Sequence, residues 1–370
     1  MDFRLMPVAF EALPGWEEDD PSSLFAVMAR CRRHMRDVKP YRRGSLGIRS
    51  EVLEQIFSQA EDRQPQSASE ARAFFETHFQ PFLICRCDGQ AGFVTAFYEP
   101  EVEVSLSPDT IWKYPFYRRP DDLVDIEDAD RPSSMEDSYA FGLRTEGGAG
   151  FYPDREAIDG GYLEGRGLEI AWARSRVDVF FAHVQGAARL RYPDGSMQRI
   201  TYAAKAGHPF TGIGRHLADL GEIPLEQVSM ASIRQWLADH PERQDEVLWK
   251  NRSYIFFREA PADNAGLGPI AAAKVQLEPM RSIAVDRLIH TFSTPFYIHS
   301  DSLKHLTSDK PFRRLMMALD TGTAITGPSR GDIFTGSGEA AGNLAGNVRN
   351  DADFYILIPK VSASEFTDAQ

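Results

Sequence analysis

The sequence predicts a mainly β protein, with barrels of short strands and helices attached at the N-terminal end. Three observations carry that reading. Residues before Pro81 show helical periodicity and helix-capping signals. From Pro81 to about Tyr202, aromatic and β-branched residues are interrupted by Pro, Gly and Asp. Toward the C-terminus, short apolar runs alternate with Gly and Pro turns.

Each element follows from local residues. Ser22 and Ser23 follow Pro21 and precede Leu24, Met28, Cys31 and Met35, an apolar stripe at helical spacing. A second helix is expected near Glu51 to Ala60. Ser67-Ala68-Ser69-Glu70 is a capping box that opens a third, with Phe74 and Phe75 inside it. Phe82 to Cys85 reads as a strand that would place Cys85 and Cys87 on one face. The polar, acidic stretch Asp121 to Glu146 lacks periodicity and predicts an exposed loop. Asp178 to Val184 reads as an apolar strand ending at Gln185 and Gly186. Arg189 to Tyr192, Asp194-Gly195 and Arg199 to Tyr202 predict a hairpin. Helices are expected at Ile213 to Leu220 and Ser229 to His240, the second with an apolar face of Met230, Ile233, Trp236 and Leu237. Strands are expected at Arg281 to Val285, Leu315 to Leu319, Ile333 to Thr335 and Phe354 to Ile358.

The chain has 370 residues, which at ~150 residues per domain suggests about two domains. Its 41 Lys and Arg against 54 Asp and Glu leave a net charge of −13, which disfavours nucleic acid as a partner. No apolar run is long enough to span a membrane, and the first residues show no signal peptide. Three cysteines give no disulfide framework, and the nine histidines include no metal-ligand spacing, so neither a metal nor another cofactor is expected.

The chemistry-bearing residues gather near the C-terminus. Asp320 and Asp332 each adjoin apolar, strand-like residues in a Gly-rich segment, and Asp286 follows another apolar run. Carboxylates so placed either cap turns, which keeps them ionised, or lose solvent and become proton donors. Asp320-Thr321-Gly322 matches the aspartic-protease triplet, but that chemistry needs two copies and only one is present.

The segment Ala318 to Gly342 resembles the terminal motif of the membrane-bound lytic murein transglycosylase A family, whose three-aspartate domain is matched by Asp286, Asp320 and Asp332. Other blocks agree in order. They are Ala96 to Pro100, Tyr114 to Pro120, Asp178 to Gly186, Tyr202 to Phe210, Ser229 to Arg234 and Asn251 to Phe257. Phe97 replaces the family's Tyr, Ala187-Ala188 its Ser-Gly, and Ala206 its Asn, each removing a polar group.

The resemblance implies a double-psi β-barrel with a second, smaller β-barrel inserted into it. Carried onto this chain, residues 1–97 and 258–370 form the first domain with the N-terminal helices, and 98–257 form the insert. Tyr254 to Phe257 would return the chain to the first barrel, and a glycan groove would lie between the two. The implied reaction is cleavage of the β-1,4 bond between N-acetylmuramic acid and N-acetylglucosamine in peptidoglycan. The muramic acid O6 attacks its own C1, leaving a 1,6-anhydro end. Because the nucleophile belongs to the substrate, one carboxylic acid suffices where ordinary glycosidases use two. Asp332 would be that acid and base, with Asp320 supporting it. Tyr98, Gln185, Gly186, Lys205, His208 and Asp286 would contact the glycan strand. A periplasmic monomer is expected, with attachment at the periphery of the outer membrane. Two rivals stay open: a hydrolase pairing Asp332 with Glu99 or Asp320, and a non-catalytic, expansin-like glycan-binding protein.

Overall fold

The computed structural model describes residues 3–61, 64–127, 131–136, 139–261, 264 and 266–367. Strand β1 (Phe3–Pro7) precedes three helices, α1 (Leu24–Asp37), α2 (Ser50–Glu61) and α3 (Ala68–His78). Strands β2 (Phe79–Arg86), β3 (Gly92–Glu99), β4 (Glu101–Ser105), β5 (Tyr114–Tyr117), β6 (Leu123–Asp125), β7 (Phe141–Thr145) and β8 (Gly148–Gly150) follow. The single turn α4 (Arg155–Ala157), β9 (Glu169–Ala173), α5 (Arg176–Gln185), β10 (Ala187–Arg191) and β11 (Met197–Lys205) come next. Three helices, α6 (Ile213–Asp219), α7 (Met230–Asp239) and α8 (Gln244–Leu248), lead to β12 (Ile255–Ala260). The chain ends in β13 (Ser282–Val285), β14 (Pro295–Ser300), β15 (Phe312–Asp320), β16 (Arg330–Ser337), α9 (Gly338–Ala345) and β17 (Arg349–Pro359), with a last turn α10 (Ser364–Thr367).

Two compact units result. The first comprises Met1–Tyr98, Asn264–Gly336 and Ala340–Gln370; the second comprises Glu99–Asp263 and Ser337–Glu339.

In the first unit six strands close into a ring. The order is β17, β14, β15, β13, β16 and β3, with β3 pairing back onto β17. β17 does this by dividing its length. Arg349 to Ala352 pair with β3, while Tyr355 to Pro359 pair with β2, which carries β1 on its far side. A ring leaves no edge strand, so each of the six has a strand neighbour on both sides. The core cluster joins the ring to the helices. Ile283, Phe296, Met317, Ile333 and Ile356 belong to it together with Leu24, Met28 and Phe75. α1 forms as its stripe dictates, with Cys31 buried, although the Ser23 side chain makes no cap bond. At the start of α3 the Ser67 hydroxyl accepts the Glu70 N–H, while the Glu70 carboxylate accepts the Gln66 N–H rather than that of Ser67. Cys85 lies on β2 but Cys87 falls beyond its end, exposed.

In the second unit the sheet order is β12, β11, β10, β4, β9, β5. A parallel bridge from Arg118, just past β5, to Phe257 on β12 links its two ends. Its core holds Val104, Phe116, Ala171, Leu190, Ile200 and Phe257. The predicted hairpin is present, with Arg189 opposite Arg199.

Three expectations are corrected here. Asp178 to Val184 is not a strand. It lies in α5, whose N-terminus is capped by the Ser175 hydroxyl and whose C-terminus ends at Gly186 in the left-handed conformation. Asp121 to Glu146 is not a bare loop, because β6, β7 and β8 form a small sheet there, and Ile126, Met135 and Tyr139 are buried together. Tyr254 to Phe257 does not return to the first barrel. β12 pairs antiparallel with β11, so this segment stays in the second unit.

Candidate active site

Three strands of the ring set out the aspartates. Asp332 sits on β16, Asp320 ends β15, and Asp286 follows β13, which runs between them. Ala284 of β13 pairs with Asp320 on one side and with Asp332 on the other. Residues in register across adjacent strands share a face, so the two carboxylates emerge on the face of Ala284. Gly331, next to Asp332, admits no side chain: a Cβ there would lie 2.5 Å from Cδ1 of Ile283.

Asp332 is half-buried, and loss of solvent raises its pKa above the ordinary carboxylate range. Two neighbours oppose that rise. The Thr95 hydroxyl of β3 donates to Oδ1 of Asp332, and the Arg330 guanidinium adds a positive charge. Arg330 also donates to Thr95 Oγ1 at 2.7 Å. Neither Thr95 nor Arg330 was singled out by the sequence reading. The available signal was alternation on β16, which puts Arg330 and Asp332 on one face.

Asp320 is held differently. Its Oδ1 accepts the Ala272 N–H at 3.1 Å, and the Thr321 backbone also bonds to the carboxylate. Burial outweighs these bonds and lifts its pKa to about 6, helped by the negative charge of Asp332. Asp286 braces loops: Oδ1 accepts the Leu288 N–H at 3.0 Å and Oδ2 the Gly327 N–H at 2.8 Å.

Of the remaining predicted residues, Tyr98 lies in the first unit, buried, with its ring packed where Gly342 leaves room. A Cβ on Gly342 would approach that ring to 2.7 Å. The others fall in the second unit. Gln185 is the last residue of α5, Gly186 caps it, and Lys205 ends β11; all three are partly exposed. His208 is only 2% exposed. Its Nε2 lies 2.6 Å from the Tyr152 carbonyl and its Nδ1 3.5 Å from the Tyr139 hydroxyl, and burial lowers its pKa.

Glu99, the alternative second carboxylate, is buried in an ion cluster. Its Oε1 accepts from Arg199 Nε at 2.6 Å, and its Oε2 from Arg189 Nε at 2.9 Å, Arg199 Nη2 at 3.0 Å and Ser337 Oγ at 2.6 Å. Two guanidiniums and a hydroxyl thus occupy both of its oxygens with charge-assisted bonds. Among the described residues, no group of three His, Cys, Asp or Glu side chains is placed to hold a metal ion.

The family model of the MltA specific insert domain matches residues 93–258, and that of the 3D domain matches residues 281–358. The chain is 30% identical to membrane-bound lytic murein transglycosylase A of Escherichia coli over 271 residues, 71% of this chain and 64% of that protein. It is 28% identical to the Vibrio cholerae protein of the same name over 261 residues, 69% of this chain and 62% of that one. The matches thus span less than two thirds of these curated relatives. Solved structures are covered more fully. A membrane-bound lytic murein transglycosylase from Agrobacterium tumefaciens matches with a TM-score of 0.93 and 59% identity, over 98% of this chain and 99% of that one. MltA from Neisseria gonorrhoeae matches with a TM-score of 0.77 and 30% identity, over 96% and 92%. With the ring, the insert and the three aspartates in place, these likenesses show that the chain belongs to the membrane-bound lytic murein transglycosylase A family.

Proposed function

We propose that this chain cleaves the β-1,4 bond between N-acetylmuramic acid and N-acetylglucosamine in peptidoglycan, forming 1,6-anhydromuramic ends, with Asp332 as its single acid and base. The observation that carries the proposal is the contrast among the carboxylates. Asp332 and Asp320 are both desolvated, but Asp332 accepts a side-chain hydroxyl, whereas Asp320 is bonded by backbone N–H groups; Glu99 is engaged by two arginines. A raised pKa favours the protonated carboxyl, the form that can protonate the leaving glycosidic oxygen. The resulting carboxylate then takes the proton of the muramic acid O6 as that oxygen closes on C1. No water enters, and no second carboxylate is needed.

Gln185 and Lys205, polar and partly exposed, suit hydrogen bonding to sugar hydroxyl and N-acetyl groups. The burial of His208 supports a loop-holding role for it. The substrate lies outside the cytoplasmic membrane, so the proposal implies a periplasmic site of action. Among the described residues no helix is long and apolar enough to cross a membrane. The test is mass spectrometry of muropeptides released from isolated sacculi. Anhydro ends that depend on Asp332 are expected. Reducing ends would indicate a hydrolase, and binding without release a wall-binding module.

A further inference from the structure

Asp332 has two oxygens, and the protein treats them unequally. Oδ1 accepts the Thr95 hydroxyl, while among the described residues no protein group hydrogen-bonds to Oδ2. The polarity of the Oδ1 bond is set one step further back. A hydroxyl has a single proton, and a guanidinium has only donors. Arg330 Nη2 donates to Thr95 Oγ1 at 2.7 Å, so Thr95 has to accept there and spend its one proton on Asp332. Arg330 is itself pinned. It is half-buried, donates through Nη1 to the Gly331 carbonyl, and stands 5.4 Å from the centre of the Phe93 ring.

We infer that Arg330 is a positioning residue: acting through the Thr95 hydroxyl, it fixes Oδ1 of Asp332 as an acceptor and confines the transferable proton to Oδ2. The inference rests on the acid–base role proposed for Asp332. Without the relay, the hydroxyl turns freely and the proton divides between two oxygens, only one of them aimed for transfer. The relay also acts on the ionisation of Asp332, because the cation and the donated hydrogen bond both favour the carboxylate.

The other charged groups around Asp332 are few. β13 brings only Ser282, Ile283, Ala284 and Val285, followed by Asp286 beyond its end. β15 brings Asp320, with Lys274 acting on it. β3 ends in Glu99, which is paired with Arg189 and Arg199, and β17 places Arg349 in register with Thr95. None of them meets the Thr95 hydroxyl in the way Arg330 does.

The test uses the full chain, with anhydro-muropeptide release from sacculi followed against pH. Donation requires protonated Asp332, so activity falls as pH rises through its pKa, and this sets the basic limb. Arg330→Met and Thr95→Val are each expected to lower kcat, by up to about a hundredfold, and to move the basic limb upward. Thr95→Ser, which keeps the hydroxyl, should restore both. The double variant should be no worse than the poorer single one, since the two residues act in series. A lowered melting temperature with an unmoved basic limb, or strictly additive losses, would overturn the inference. If Arg330→Met fails to fold, Thr95→Val reads the same limb alone. Carboxyl carbon NMR of Asp332 separates this inference from the functional reading. Its titration should rise in Thr95→Val even if wild-type protein releases no anhydro product, and an unmoved titration counts against the relay whatever the activity.

Discussion

Asp320 and Asp332 register against one and the same residue, Ala284, from its two sides. Two strand spacings put their backbones no more than about 10 Å apart, and the charge of Asp332 contributes to raising Asp320. Their surroundings nevertheless give them different tasks. Backbone N–H groups fix one, and a side-chain hydroxyl steers the other.

Asp332→Asn should fold normally and lose nearly all bond cleavage. The amide can still accept the Thr95 hydroxyl but cannot donate and reclaim a proton. The expected drop in anhydro-muropeptide release is ~10²–10⁴-fold or more. The melting temperature at pH 7 should be unchanged or higher, because a carboxylate disfavoured by burial is gone. Retention of most activity would remove Asp332 from the mechanism.

Asp320 predicts a pH dependence of stability with a definite sign. Its folded pKa, about 6, lies above the ordinary 3.8, so the folded state holds the proton more tightly than the unfolded chain does. Its contribution is complete below about pH 4 and is lost as pH rises through about 6. Asp320→Asn removes that loss. Melting temperature compared between variant and wild type should therefore shift in the variant's favour from pH 4 to pH 6.5. A shift the other way would mean that the backbone bonds to Asp320 outweigh its burial.

Glu99→Gln should act on stability. Its side chain is fully enclosed and meets Arg199, which is 1% exposed. Losing the charge breaks its ion pairs with Arg199 and Arg189, at a cost of about 3–5 kcal/mol. Denaturant unfolding should register that cost, while the folded fraction should still release anhydro ends. A fully stable but inactive Glu99→Gln protein would revive the two-carboxylate hydrolase.

His208→Phe tests the remaining ambiguity among the predicted glycan contacts. Losing the bond to the Tyr152 carbonyl should cost about 1–3 kcal/mol and lower the melting temperature. Glycan affinity, measured by sacculus sedimentation, should change little. Weakened binding at an unchanged melting temperature would instead make His208 a sugar contact.

Legibility in the sequence followed physical simplicity. The N-terminal helices were readable because one face of each is buried and, on α3, the Ser67 cap is local. The C-terminal strands were readable because Gly and Asp bound short apolar runs. Helix α5 was misread for a stated reason. Val179 and Ala182 face one core cluster while Val177, Phe180 and Phe181 face another, so its apolar residues show no single stripe. The Ser175 cap and the Gly186 terminus were the better signals. The aspartates stood out by composition and motif. Thr95 did not, because it lies far from Asp332 along the chain, and only the closing of the ring brings β3 beside β16.

The divided pairing of β17 also sets an order of assembly. Ribosomes deliver the chain from its N-terminus, and β17 is the last ring strand to emerge. β2, β3 and β14 must all wait for it. The second unit needs only Ser337–Glu339 beyond Asp263, so its sheet and helices are available while the first unit is still open. At ordinary rates of synthesis, the interval from Asn264 to the end of β17 lasts on the order of ten seconds. During that time Phe296, Ile298 and Leu315 have no closed barrel to occupy. A stop codon in that interval would yield a nearly complete insert on an unclosed ring, and newborn chains would need shielding for as long as the gap stays open.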